Sequence, residues 1–258
     1  MATPLAAIVA HLDETLHTHE IPDYSGALNG LQLDAPDDVR RVAAAVDFSR
    51  RTVQGAADAE ANLLIVHHGM FWGGNQRIIG SYYERLRLAF AHGIAVYASH
   101  LPLDAHPSLG NNALLARELG LVPAGGFARH QTIDIGASGE TDLITETLAE
   151  RARAFASAHG GGVVVTEHAR ERRTRRWAIC TGAGASSETI REAESMGIDT
   201  LIVGEGPHHT AVEAPERGIV IIYAGHYATE TLGVRALADH VERTFGIPWT
   251  FIEAPTGL

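Results

Sequence analysis

Two hydrophobic periods alternate along this chain. "RRVAAAVDF" reads as a strand, and "NLLIVHH", a continuous apolar run of strand length, reads as a strand covered on both faces. Between and after them lie segments with helical spacing. "SRRTVQGAADAEA" has Ser49 as its expected N-cap, and "SYYERLRLAFAHG" is closed by Gly93. "IAVYASH" is the next strand, and "NNALLARELG" is a helix ending at Gly120. Strand–helix alternation of this kind defines an α/β fold with a mostly parallel sheet.

The middle of the chain is less regular. "GGFARHQTIDIGASG" is Gly-rich and reads as containing loop, and "ETDLITETLAERARAFASA" reads as helix. "GGVVVTEH" and "RRWAICTG" are expected to pair as strands around the basic tip "ARERRTRR". The alternation then resumes, with "SSETIREAESMG" a helix and "IDTLIVGEG" and "GIVIIYAGH" strands. "TLGVRALADHVERTFG" is a helix and "IPWTFIEAP" a final strand. This later run echoes the earlier one. Ser49 precedes Leu63, and Ser187 precedes Leu201, by the same 14 residues. "GIAVYASH" matches "GIVIIYAGH" with one extra residue. Each Tyr-Ala-x-His is followed four residues later by an acid, Asp104 after His100 and Glu230 after His226. Two related α/β halves are therefore expected, residues 1–120 and 121–258, with the C-terminal segment packing back on the first.

Composition narrows the function. The 258 residues are 45% hydrophobic and 20% charged, the balance of a globular protein. All 20 basic residues are arginine, so lysine Schiff-base chemistry and a P-loop lysine are excluded. A formal charge of -11 argues against broad nucleic-acid binding. "ARERRTRR" accordingly reads as a solvated hairpin tip, and "TGAGASS" is a weak match to a phosphate-binding turn. The single cysteine, Cys180, excludes an internal disulfide and a multi-cysteine metal cage. No apolar run approaches a membrane span, and the opening "MATPLAAIVAHLDE" lacks the basic start of a signal peptide. A cytoplasmic protein without membrane partners is expected.

The chemistry gathers where strands are expected to end. His67, His68, His100 and Asp104 come from the first half, and Glu205, His226 and Glu230 from the second. In open α/β sheets ligands bind beyond the carboxyl ends of the strands. Imidazoles with carboxylates suit zinc, iron, manganese or nickel. Neighbouring strand residues point to opposite sides, so His67 and His68 share one ion only where the backbone bends. Otherwise they serve separate ions, and the number of donors fits two ions, ~3.5–4 Å apart, better than one. His208 and His209 are candidates for a place behind the ligands or on the substrate side. His11, His17 and His19 are assigned to an exposed N-terminal helix, and His106 to the site mouth.

"LLIVHHGMFWGG", "HLPLDAHPSLGNNALLARELGL", "GEGPHH", "GHYATETLGVRAL" and "FIEAP" together resemble the Nif-three-like dinuclear metal centre family. Its bacterial members carry the name GTP cyclohydrolase I type II homologue, and this chain resembles their short form. The resemblance runs from about Asn29 to the C-terminus and is weak over residues 121–176. It implies two similar α/β halves with mostly parallel sheets facing each other across a metal-containing cleft, and a toroidal homohexamer. It also implies two divalent metal ions per chain, held by His67 and His68 of the "HHG" block, Asp104 of "HLPLD", and His226 and Glu230 of "GHYATE". His100 falls beside this set as an extra ligand or a catalytic group. The expected function is a dinuclear metal-dependent hydrolase with GTP cyclohydrolase-like activity on a purine nucleotide. The competing reading is a non-catalytic, metal-dependent hexameric ring that regulates or binds partners.

Overall fold

The computed structural model describes residues 2–36 and 38–258. In chain order the elements are α1 (Leu5–Leu16), β1 (Gly30–Leu33), β2 (Val42–Asp47), α2 (Arg50–Asp58), β3 (Leu63–His68), α3 (Gly80–Ala91) and β4 (Ala95–Ala98). There follow α4 (Leu101–Asp104), α5 (Asn111–Glu118), β5 (Gly125–His130), β6 (Ile133–Ile144), α6 (Thr145–Ala158), β7 (Val164–Val165) and β8 (Arg173–Cys180). The last are α7 (Ser187–Ser195), β9 (Thr200–Val203), α8 (His208–Glu216), β10 (Val220–Tyr223), α9 (His226–Phe245) and β11 (Trp249–Phe251). Two compact units result: Met1–Leu103 with Gly233–Ala254, and Asp104–Leu232 with Pro255–Leu258. By packing, α5 therefore goes with the second unit, where the sequence repeat counts residues up to 120 with the first half. Leu115, Ala116 and Leu119 of α5 share a core with Trp177 and Ile179 of β8.

The first unit holds a five-stranded sheet in the order β1-β4-β3-β2-β11, parallel except for the edge strand β1. One face packs Ala43, Ala45, Leu64, Val66 and Val96 against Val53 and Ala56 of α2 and Leu86 and Ala89 of α3. The alternate positions Val42, Ala44, Leu63, Ile65 and Tyr97 are also fully buried, so both faces are covered, as unbroken apolar runs demand. On that second face the Tyr97 hydroxyl donates to Asp13 of α1 at 2.8 Å.

The second sheet has the order β5-β6-β8-β9-β10-β7. Its strands β5, β8, β9 and β10 run one way, and β6 and β7 run against them. Three sequence expectations change here. The Gly-rich segment is the β5–β6 hairpin, and its glycines admit close neighbours: a Cβ on Gly139 would sit 2.6 Å from the Trp177 ring. The helix expected from Glu140 starts at Thr145, because residues up to Ile144 extend β6. β7 pairs with β10 and β8 with β6 and β9, so the two segments flanking the arginine run do not form a hairpin. The arginines lie along β8 instead, Arg173 on Asp142 and Arg176 on Glu140.

The internal repeat is real in its helix starts but displaced in register. Ser49 and Ser186 each accept the N–H of the threonine three residues on, and Thr52 and Thr189 each accept the serine N–H in return. These reciprocal caps satisfy two orphan donors apiece. The second cap is thus Ser186 rather than Ser187, and 14 residues from it lead to Thr200, the first residue of β9, as they lead from Ser49 to Leu63, the first of β3.

Candidate metal centre

In the first unit β3 delivers His67 and His68, and the turn after β4 delivers His100; all three are buried. One ring nitrogen from each lies within 4.8 Å of one from each of the others. The pleat aims His67 and His68 to opposite faces. At the strand's carboxyl end, however, each ring is caught by a different neighbour and both reach forward. His67 Nδ1 lies 2.9 Å from the Ser99 carbonyl oxygen, and His68 Nδ1 lies 2.9 Å from Asp47 Oδ1. Asp47 is the register partner of His68 on β2. His100 Nδ1 lies 2.9 Å from Asp23 Oδ1, whose carboxylate also accepts the Leu101 N–H and the Asn29 amide. Burial alone would raise the Asp23 carboxyl, but the His100 imidazole and the N–H donors of Asn29 and Leu101 hold it below its ordinary value.

These acceptors decide the tautomers. A backbone carbonyl only accepts, so His67 Nδ1 carries the proton and Nε2 presents a lone pair. Carboxylates behind His68 and His100 favour the same arrangement. Imidazoles braced from behind by carbonyl or carboxylate, with Nε2 presented forward, are the donors that zinc and similar ions take. The donor set of the first unit therefore fits a divalent transition metal.

The second unit repeats the device on a helix. His226 opens α9 and Glu230 follows one turn later, so neither ends a strand; their four-residue spacing is helical. Likewise Asp104 ends the single-turn α4 after His100. His226 Nδ1 lies 2.7 Å from Glu205 Oε1, and its Nε2 lies 3.1 Å from Glu230 Oε2. Burial by itself would lower the His226 imidazole, but the adjoining carboxylates of Glu230 and then Glu205 outweigh it and push it up to about 9. Asp104 accepts from the Asn111 amide at 2.9 Å, and Asn112 links the Asp104 carbonyl to the Thr181 N–H. The next residue, Gly182, has φ +61°, and any Cβ there would run into Glu230 Oε1. That glycine leaves room for the carboxylate.

Of the remaining candidates, Glu205 stands behind His226, while His208 and His209 open α8 as exposed residues. His106 Nδ1 accepts the Leu109 N–H at 3.0 Å and stabilises its own turn. His11 is in α1, but His17 is its left-handed C-cap and His19 lies beyond it. The sequence reading passed over Asp47, Asp23 and the Ser99 carbonyl. Asp47 was recoverable, since aligning the ends of two adjacent parallel strands sets it beside His68; Asp23 lies in an irregular loop and carries no such signal.

Fold and site together define an α/β protein of two sheets of mostly parallel strands, carrying buried imidazole and carboxylate groups that can hold metal. The chain belongs to the DUF34/NIF3 (NGG1p interacting factor 3) family, whose pattern matches residues 3–256. A Deinococcus radiodurans protein named GTP cyclohydrolase 1 type 2 homolog is 43% identical over 257 residues, covering 97% of this chain and 93% of that protein. A Pyrococcus horikoshii protein of the same name is 40% identical over 258 residues, covering 97% and 98%. The crystal structure of TTHA1606 from Thermus thermophilus matches with a TM-score of 0.85 at 36% identity over 100% of both chains. No helix among the described residues is long and apolar enough to cross a membrane.

Proposed function

We propose that this chain is a dinuclear metal-dependent hydrolase with GTP cyclohydrolase I type II-like activity on a purine nucleotide. In this reading His67, His68, Asp104, His226 and Glu230 hold two divalent ions drawn from zinc, iron, manganese or nickel. The observation that carries it is the bracing of four imidazoles: His67, His68, His100 and His226 each turn Nδ1 to a protein acceptor. When bound, the ions would supply Lewis-acid activation of water and of the carbon–nitrogen centre under attack. Asp104 and Glu230 would supply the carboxylate ligands beside the imidazoles of His67, His68 and His226. His100 is the catalytic group in this reading: Asp23, kept ionised, lies against its Nδ1 and fixes the ring for proton transfer. The names of the relatives agree with the substrate class. The working assembly in this reading is a cytoplasmic homohexamer.

Elemental analysis of purified protein, paired with GTP turnover, tests the reading. Wild type should carry about two ions per chain, and His68→Ala and Glu230→Ala should lose metal and turnover together. Equal turnover in all three proteins would sink the hydrolase. Full metal content with no turnover of any purine nucleotide would favour a non-catalytic ring.

A further inference from the structure

Two aromatic side chains frame the imidazoles of the first unit, and hydrolysis by itself uses neither. Trp72 stacks on His68, with ring centroids 4.7 Å apart and planes 29° from parallel. It also meets His100 at 4.4 Å. Tyr24 tilts on to His100 at 6.0 Å. Trp72 is 41% exposed and Tyr24 55%, whereas Trp177 and Tyr97 are fully buried.

The loops bearing them are held together. Gln32 of β1 donates to the carbonyls of Ala27 and Leu28 and accepts the Met70 N–H. Gly26 lies so close to the other loop that a Cβ there would sit 3.2 Å from the carbonyl oxygens of Phe71 and Trp72. A Cβ on Gly69 would collide with the Gln32 amide. Aromatic surface left in water, fixed by a polar clasp and set against candidate metal-binding imidazoles, is suited to a flat ring. Stacking supplies affinity for any nucleobase, because each has a π-face.

We propose that Trp72, flanked by Tyr24, is a stacking platform that takes the heteroaromatic base of the substrate and positions it beside the imidazole cluster. The proposal deepens the hydrolase reading and rests on it for the identity of the reaction. It makes the base, rather than the sugar or phosphates, the part of the substrate recognised on this side of the site.

Fluorescence quenching tests it on the whole protein with its native metal. Trp249→Phe removes the half-buried indole and buried Trp177 is shielded, so Trp72 becomes the reporter. Guanosine and adenosine should quench it; ribose 5-phosphate and inorganic triphosphate should not. By calorimetry, Trp72→Leu should weaken guanosine binding about ten- to a hundredfold and Trp72→Phe far less. KM for GTP should rise more than kcat falls, with an unchanged circular dichroism spectrum and melting point. Guanosine binding by Trp72→Leu equal to wild type, or quenching by ribose 5-phosphate alone, would overturn the platform. The two readings fail separately: guanosine stacking without turnover upholds the platform and sinks the hydrolase, and turnover with KM unchanged in Trp72→Leu sinks the platform alone.

Discussion

His226 is the residue at which protonation, stability and metal affinity meet. Its imidazole titrates near 6.5 in an unfolded chain and is pushed up to about 9 in the fold by Glu230 and Glu205, against its own burial. A raised pKa stabilises the fold fully below pH 6.5, and that contribution is lost as pH climbs through 9. Metal-free protein should therefore lose melting temperature between pH 6.5 and 9, by a component worth a few kcal/mol at most. His226→Gln should lack that component; an identical pH profile in the variant would refute it. The same proton must leave before a metal binds, so metal affinity should rise over that pH interval. A second prediction concerns the group behind a ligand. Asp47→Ala removes the acceptor at 2.9 Å from His68 Nδ1 and should cost about ten- to a hundredfold in metal affinity, measured by competition with a chromogenic chelator. Unchanged affinity would mean that Asp47 does not orient His68.

At the scale of elements, the reciprocal caps of α2 and α7 make a matched experiment. Ser49→Ala and Ser186→Ala each remove one side-chain acceptor and should each cost about 1 kcal/mol in urea unfolding. The elements legible in the sequence were those whose signal is local: the cap at Ser49, closing glycines at Gly93 and Gly120, and the unbroken apolar runs of β2, β3, β9 and β10. The second cap was placed one residue late, at Ser187 instead of Ser186, because two serines stand side by side there. Elements whose signal is tertiary were missed. β1 is an edge strand with one exposed side, and the β5–β6 glycines exist to admit Trp177 and Asp134, contacts invisible along the chain. The Tyr-Ala-x-His echo shows the same limit. Parallel register pairs Tyr97 with Ile65, and Ile222 with Ile202, so the structural counterpart of Tyr97 is Ile222 and that of His100 is Gly225. The extra residue in the second copy carries its histidine one place onward, on to the first turn of α9. The echo found His226 and Glu230 by composition, while their helical geometry lay outside a strand-end reading.

At the scale of the whole molecule, the proposed ligands are divided between two folding units: His67 and His68 belong to the first, and Asp104, His226 and Glu230 to the second. Each unit has its own sheet and core and so can unfold as its own cooperative block. Ions that take ligands from both sets would couple those blocks, because neither unit could unfold without releasing metal. At a free metal concentration one hundred times Kd, that linkage adds about 2.7 kcal/mol per site. The chain carries separate reporters, since Trp177 lies in the core of the second unit and Trp249 on β11 of the first. In Trp72→Phe protein the metal-loaded form should melt in one transition seen at the same temperature by fluorescence and calorimetry. Chelation should lower that temperature and separate the change at Trp249 from the change at Trp177, with single-tryptophan variants assigning each step. Coincident melting of both reporters, at a temperature indifferent to chelator, would show that metal does not couple the units, and the shared dinuclear centre would have to be abandoned.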